Sequence, residues 1–309
     1  MATSADELSV KIDNLNLVSH AEPIMICDAW YGFPTQKRPR KERVLAVAKQ
    51  IYNFASWRSD YMKQKRVKIG AAQVYVIGKV DDVEAIKERF EQLVAGVKSK
   101  KDDAVDDVDD ADDVDDAGDA DDSCLSVIQC SFLPGKTLED LSKELWACDP
   151  KKTHHETTTA VERIAYLSPD ANEKLSTSQL PPRIVVVGML VDRKVQPNRS
   201  KLRAESLGRP TANDAELQGS SSHMDEIVPM QLPLDSLNVS DLSDDEPLNI
   251  DTVMEMMQRW WINSNDGGGS SEDKMKMFFR DAAARALLTH RQRHPNRTLH
   301  GGASSGAVK

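Results

Sequence analysis

Short continuous apolar runs alternate along this chain with stretches whose apolar residues recur every three to four positions. PIMICDAW (23–30), QVYVIGKV (73–80), LSVIQCSF (125–132), RIAYL (163–167) and IVVVG (184–188) are runs of strand length. Runs of this kind suit strands buried on both faces. Between them, residues 41–58 place Val44, Ala48, Ile51, Tyr52 and Ala55 on one helical face, and residues 83–97 turn Ile86, Phe90, Leu93 and Val97 inward. LEDLSKELWA (138–147) predicts a helix, and so does NRSKLRAESLG (198–208), with Asn198 as N-cap and Gly208 just past the end. A short helix is predicted to begin near Pro169. IDTVMEMMQRWW spaces Ile250, Val253, Met254, Met257, Trp260 and Trp261 at helical intervals, and Thr252 with Glu255 predicts a capping box. Strands alternating with helices predict an α/β domain with a largely parallel sheet.

Four stretches break the alternation. Residues 1–22 predict a flexible N-terminus. Residues 102–122, DDAVDDVDDADDVDDAGDADD, hold thirteen aspartates and no base. Such a run repels itself and cannot bury enough apolar surface to fold, so 99–123 is predicted as a disordered acidic insertion. NDAELQGSSSHMDEIVP (213–229) predicts a loop insertion before the next strand. SNDGGGSSED (264–273) predicts a flexible linker to a terminal basic helix, KMKMFFRDAAARALLTHRQRH, and a tail ending at Lys309. The folded unit is therefore expected to span 23–263, with 264–309 appended.

The acidic run also dominates the charge. The whole chain carries −10, and the remainder without that run carries +3. Residues 36–68 hold eleven Lys and Arg against Glu42 and Asp60; residues 183–209 hold seven bases against two acids; residues 274–309 hold eight bases against Asp281. Three basic segments predict a polyanion partner. The acidic run itself lacks the glycine and terminal glutamate of an EF-hand loop. Cys27, Cys124, Cys130 and Cys148 form no CxxC pair and no zinc spacing, so ordinary reduced thiols and no metal are expected. No stretch approaches eighteen uninterrupted apolar residues, and no membrane association is expected. The opening MATSADELSV has neither a secretory pattern nor an Arg-rich amphipathic one, which predicts a nucleus or cytoplasm address and leaves mitochondrial residence open.

One stretch concentrates the chemistry. RIVVVGMLVDRK (183–194) runs four β-branched residues into Gly188 and then sets Asp192 among Arg193 and Lys194. In open α/β sheets, ligands bind outside the carboxyl ends of the strands, and a glycine there lets a ligand approach the backbone. GMLVDR supplies neither GxGxxG nor a glycine-GKS/GKT loop, which argues against a dinucleotide dehydrogenase and an NTPase. Asp192 is either a working carboxylate or a strand-end acid paired with a neighbouring base.

The order of motifs resembles the tRNA position-9 purine N1-methyltransferase family of the SPOUT superfamily. Ser168 and Asp170 match its Leu-Thr/Ser-x-Asp strand end. Gly188, Val191, Asp192 and Arg193 match its Gly-Gly-x-Val-Asp-Arg/Lys strand end, with one glycine of the pair replaced by Val187 or Met189. Leu232, Pro233 and Leu234 match its Leu-Pro-Leu/Ile segment, and Leu248 and Val253 its last helix opening. PIMICDAWYGF, KQIYNFASWR and QVYVIG resemble its first half more loosely, so the likeness covers residues 23 to about 262. The acidic run, the 213–229 insertion and the short N-terminus depart from it.

That resemblance implies an α/β SPOUT fold with a largely parallel sheet, helices on its flanks and a C-terminal trefoil knot. It implies S-adenosylmethionine as cofactor, held by Gly188, Met189, Leu232, Pro233, Leu234, Leu248, Ile250 and Thr252. It implies tRNA as substrate and a monomer, with a partner subunit open. The basic residues expected on RNA phosphates are Arg58, Lys63, Lys65, Arg66, Arg193, Lys194, Arg199 and Lys201. N1 of guanine carries a proton at neutral pH, so a carboxylate within hydrogen-bond reach can accept it during methyl transfer, and Asp192 is the candidate general base. With adenine as substrate, N1 carries no proton and Asp192 only orients the base. Two classes of function remain: an RNA methyltransferase, and a catalytically inactive SPOUT-derived RNA-binding or assembly protein.

Overall fold

The computed structural model describes residues 22–29, 39–65, 71–102, 130–147, 163–190, 197–207, 227–237, 248–266 and 271–293. Its strands are β1 (Ile24–Asp28), β2 (Gln73–Gly78), β3 (Cys130–Pro134), β4 (Ile164–Leu167), β5 (Glu173–Lys174), β6 (Ile184–Gly188) and β7 (Ile227–Gln231). Its helices are α1 (Arg40–Lys65), α2 (Val80–Asp102), α3 (Leu138–Ala147), α4 (Arg199–Leu207), α5 (Ile250–Asp266) and α6 (Glu272–Arg293), with a 3-10 turn over Leu234–Leu237. Among the described residues the seven strands form one sheet in the order β3-β2-β1-β6-β4-β7-β5. Every neighbouring pair is parallel.

The apolar runs explain this arrangement. A parallel sheet needs a crossover between neighbouring strands, so helices cover both faces and the strands become apolar on both. Side chains of β1 alternate accordingly. Met25 and Cys27 join the cluster formed with α1, α2, α5 and α6, whereas Ile24 and Ile26 join the cluster formed with α3 and α4. The first cluster is the larger. In it Trp260 of α5, fully buried, meets Phe279 of α6 with ring centroids 4.8 Å apart and planes at 63°. An edge-on pair of this kind contributes about 0.5–1.5 kcal/mol beyond its buried area.

The expected elements form, with corrections at their margins. The residues after Pro169 make a turn and the two-residue β5 in place of a helix. Leu175 N donates to Gln231 O, so pairing with β7 recruits the segment. The capping box at Thr252 does not form. Asn249 O accepts from Thr252 N and Val253 N, so α5 starts earlier, and Glu255 is drawn into a buried ion pair. Residues 99–102, assigned above to the acidic insertion, belong to α2, and 227–229, assigned to a loop, open β7. Of the 264–273 linker, residues 264–266 and 272–273 are helical. The strand expected from 125 begins at Cys130, with 125–129 outside the described residues, as are 1–21, 103–124, Gly208, 213–226 and 294–309.

Arg58 corrects a functional expectation. It was expected on RNA phosphate, yet it is only 4% exposed. Its guanidinium lies over the Phe54 ring, 5.4 Å from the centroid, and donates to Ala72 O at 2.7 Å. Burial lowers its pKa from the usual arginine range, opposed by the nearby Cys130 and Cys27. The pair fastens α1 to the residue before β2. Arg58→Ala is therefore expected to leave RNA affinity unchanged and to destabilise the fold by about 1–3 kcal/mol, the cost of an unpaired buried carbonyl. Urea denaturation of the variant measures this.

Candidate functional site at the carboxyl edge of the sheet

Parallel pairing puts the carboxyl ends of all the strands on one edge, and the described motif residues meet there. Asp28 ends β1 directly opposite Gly188, which ends β6. Met189 N donates to Asp28 O at 3.0 Å, so the chain leaving β6 stays against β1. Ser168, just past β4, donates its N–H to Met230 O of β7 at 2.9 Å.

Helix α4 is fastened to this edge by polar contacts. Ser200 Oγ donates to Ser168 Oγ at 2.8 Å, and Asn198 N donates to Asp170 Oδ2 at 2.6 Å. Lys201 Nζ reaches Asn172 Oδ1 at 3.0 Å. Asn198 O accepts from Leu202 N as a cap should, but its φ is +61°. That left-handed conformation is one asparagine tolerates better than most residues, and the Asp170 bond holds it.

Farther along α4, Arg203 Nε donates to Asp28 Oδ2 at 3.1 Å, and Tyr166 of β4 donates its hydroxyl to the same oxygen at 3.0 Å. Asp28 is 1% exposed. Burial lowers the Arg203 pKa, but attraction and hydrogen bonding to Asp28 outweigh it, so the net direction is upward. Sequence reasoning missed Asp28 as a site residue because it looked like the last polar position of an apolar run. A carboxylate closing a buried parallel strand is the signal that could have found it.

The residues expected to hold a cofactor come from three loops, and most of them share the larger apolar cluster. Met189 and Leu232 are buried members of it, and Leu234, Leu248 and Ile250 pack against it. Pro233 is buried between Leu232 and Leu234. Such a set fits the apolar faces of an adenine ring. Thr252 departs from the set. It is 1% exposed, and its Oγ1 lies 2.9 Å from His290 Nδ1 of α6, so its hydroxyl belongs to the α5–α6 interface.

The expected RNA contacts divide between the two edges. Arg199 and Lys201 are half-buried at the carboxyl edge on α4. Lys63 is exposed on the last turn of α1, beyond Arg58, which bonds the residue preceding β2 and so marks the opposite edge. Asp192, Arg193, Lys194 and Arg66 lie outside the described residues, and the side chain of Lys65 does too. Among the described residues, no group of three or more His, Cys, Asp or Glu could hold a metal ion. None of their helices is long and apolar enough to cross a membrane. Burial pushes the Cys27 thiol up, and pushes Cys130 up to about 11, so both stay protonated at neutral pH.

No family model matches the chain, and no curated protein matches it. Among solved structures it is similar to spTrm10(74), with 13% identity and a TM-score of 0.46 over 87% of this chain and 96% of that one. It is also similar to full-length spTrm10 in complex with SAH, with 13% identity and a TM-score of 0.41 over 85% of this chain and 94% of that one. A dual-specific Trm10 from Thermococcus kodakaraensis gives 12% identity and a TM-score of 0.39 over 85% and 99%.

Proposed function

We propose that this protein is an S-adenosylmethionine-dependent tRNA methyltransferase of the SPOUT type, acting on N1 of guanine at tRNA position 9. One observation carries the reading. Motif segments scattered from residue 168 to residue 250 of the sequence converge at one edge of a parallel sheet. Ser168 and Asp170 fix the basic helix α4, Gly188 and Met189 end the central strand, and Leu232, Leu234, Leu248 and Ile250 supply an apolar lining. The cofactor would supply an electrophilic methyl group on its sulfonium.

In this reading the chain's own work is mostly positioning. Met189, Leu232, Pro233, Leu234, Leu248 and Ile250 hold the adenosyl part and exclude water from it. Arg199 and Lys201 meet phosphates at the mouth of the site. Asp192 accepts the N1 proton of guanine. The segment that carries it runs between Met189 and Asn198, and both of these are bonded to the carboxyl edge, through Asp28 O and Asp170 Oδ2.

The test is calorimetric binding of S-adenosylmethionine to the purified protein, followed by methylation of a transcript with guanine at position 9. Binding and methylation together are the expected result. Transcript binding with neither cofactor binding nor methylation would establish the catalytically inactive RNA-binding alternative and overturn the enzyme.

A second expectation concerns the basic helix. Replacing Arg199 and Lys201 together with Ala should weaken binding across all tRNA sequences and flatten its salt dependence by about one unit of slope per lost phosphate contact. Filter binding at several salt concentrations measures it. An unchanged slope would move the phosphate face away from α4.

A further inference from the structure

We propose that the last turn of α6 is a brace that positions two of the three loops of the cofactor slot, with Arg293 as the positioning residue. This inference rests on the proposed cofactor-binding function. The sequence shows α6 only as a basic helix beyond a glycine-rich linker, and the resemblance stated above ends near residue 262, before it begins.

The packing gives α6 a defined course. Asn263 near the end of α5 donates to Phe278 O at 3.3 Å, and Thr252 near its start meets His290, so the two helices run antiparallel. α6 therefore begins at the amino edge of the sheet, where Trp261 of α5 donates to Pro182 O just before β6. It ends at the carboxyl edge, against the first turns of α5.

There the contacts are charged and buried. Arg293 NH1 lies 3.4 Å from Asp251 Oδ2, and NH2 donates to Glu255 Oε2 at 3.1 Å. Both carboxylates have fully buried side chains, while the Arg293 side chain is 20% exposed. Asp251 also accepts from Asn53 of α1 at 3.1 Å, and its N–H donates to Gln50 Oε1 at 2.9 Å. The start of α5 is thus clamped between α1 and α6. Leu248 and Ile250, two of the lining residues, sit on that start. α6 also packs directly on the 3-10 turn Leu234–Leu237, which continues the Leu232–Pro233 loop. One helix thereby touches both apolar loops of the slot.

Arginine suits this role. Its rigid fork spans two carboxylates on successive turns, which a lysine ammonium cannot do with the same geometry. Removing it leaves Asp251 with uncharged partners among the described residues and releases the Leu248–Thr252 segment from α6. Arg293 bonds to α5, whereas α4 is held by Ser168, Asp170 and Asp28, so cofactor affinity and RNA affinity should separate.

The experiment compares wild type, Arg293→Ala, Arg293→Lys and Met275→Ala. Met275 is buried at the far end of α6, so its variant controls for general loosening of the helix. Arg293→Ala should weaken S-adenosylmethionine binding at least tenfold by calorimetry, raise the cofactor KM with little change in kcat, and leave tRNA affinity within twofold. Arg293→Lys should recover part of the loss, and Met275→Ala should bind cofactor as wild type does. Hydrogen exchange supplies a readout independent of the cofactor: amides of 250–253 should lose protection in Arg293→Ala and keep it in Met275→Ala. Unchanged cofactor affinity in a folded Arg293→Ala, or an equal loss in Met275→Ala, would overturn the brace. Failure of wild type itself to bind the cofactor would overturn the proposed function instead. In that event the exchange data still decide whether Arg293 orders the loop.

Discussion

If the proposed function holds, Asp192→Asn should lower the single-turnover rate of methyl transfer to a guanine-9 transcript by roughly 10²–10⁴-fold, the range for losing a general base. Asparagine keeps the size and hydrogen bonding of aspartate and removes its ability to take a proton. Cofactor and tRNA affinities should stay near wild type, because the carboxylate is assigned to chemistry. The pH profile carries the sharper signature. The proposed mechanism requires Asp192 to be ionised, a state the basic Arg193 and Lys194 beside it in the sequence would favour. The variant depends on guanine N1 losing its proton unaided, so its rate should keep climbing with pH after wild type has levelled. The measurement is a pH series of single turnovers with saturating cofactor. Equal rates at neutral pH would return Asp192 to the ion-paired strand-end role left open by the sequence.

Glu255→Ala should cost about 3–5 kcal/mol of folding stability, the range for breaking a buried ion pair by removing one partner. Glu255 is fully buried, and its Oε1 accepts from Arg259 Nε at 2.9 Å and lies 2.8 Å from Arg259 NH2. Its Oε2 accepts from Arg293. Arg259 is itself buried, with its guanidinium 4.7 Å from the Trp57 ring centroid and 4.6 Å from that of Tyr61, so the stranded charge would be held in a largely dry setting. Urea denaturation at neutral pH measures the loss, and a loss under about 1 kcal/mol would mark the network as replaceable.

The same carboxyl gives a pH prediction. Burial raises its pKa above the ordinary 4.5, only partly opposed by Arg259 and Arg293. The folded state thus takes up this proton more readily than the unfolded chain. The contribution is fully present below pH 4.5 and is lost as pH rises through the higher folded value. Wild type should therefore lose stability relative to Glu255→Gln as pH rises above 4.5 through the raised folded value, seen as converging or crossing urea midpoints.

Much of the architecture was legible in the chain. The β-branched and apolar runs suited strands buried on both faces, and the three-to-four spacing of Ile86, Phe90 and Leu93 or of Met254, Met257 and Trp261 suited helices packed on them. These are local periodicities, and each residue's neighbours along the chain carry them. The candidate site was legible where it consisted of short motifs. Gly188 stood out at the end of its strand run, Ser168 with Asp170 and Leu232 with Leu234 were picked out by the motif resemblance, and all lie just past or at the carboxyl ends of parallel strands. The burial of Arg58 and the contact of the Thr252 hydroxyl with His290 were not legible in the chain, for one reason. A polar side chain gives no sign in the sequence of whether it faces water or a partner from a distant element.

The sequence by itself determined that strands and helices alternate, that the central strands are covered on both faces, and that an acid stands four residues past Gly188. Tertiary structure alone decided which polar groups are buried and what they do there. Strand order set Asp28 beside Gly188 and within reach of Tyr166 and Arg203, residues 138 and 175 positions away. The antiparallel return of α6 decided that Arg293 holds Asp251 and Glu255 and is not a free base of an RNA-binding tail. Charge count and local spacing fix what a side chain can bond. Which partner it meets depends on the packing of elements far apart in the chain, because a buried charge is tolerated only where another element brings it a counter-charge or hydrogen bonds.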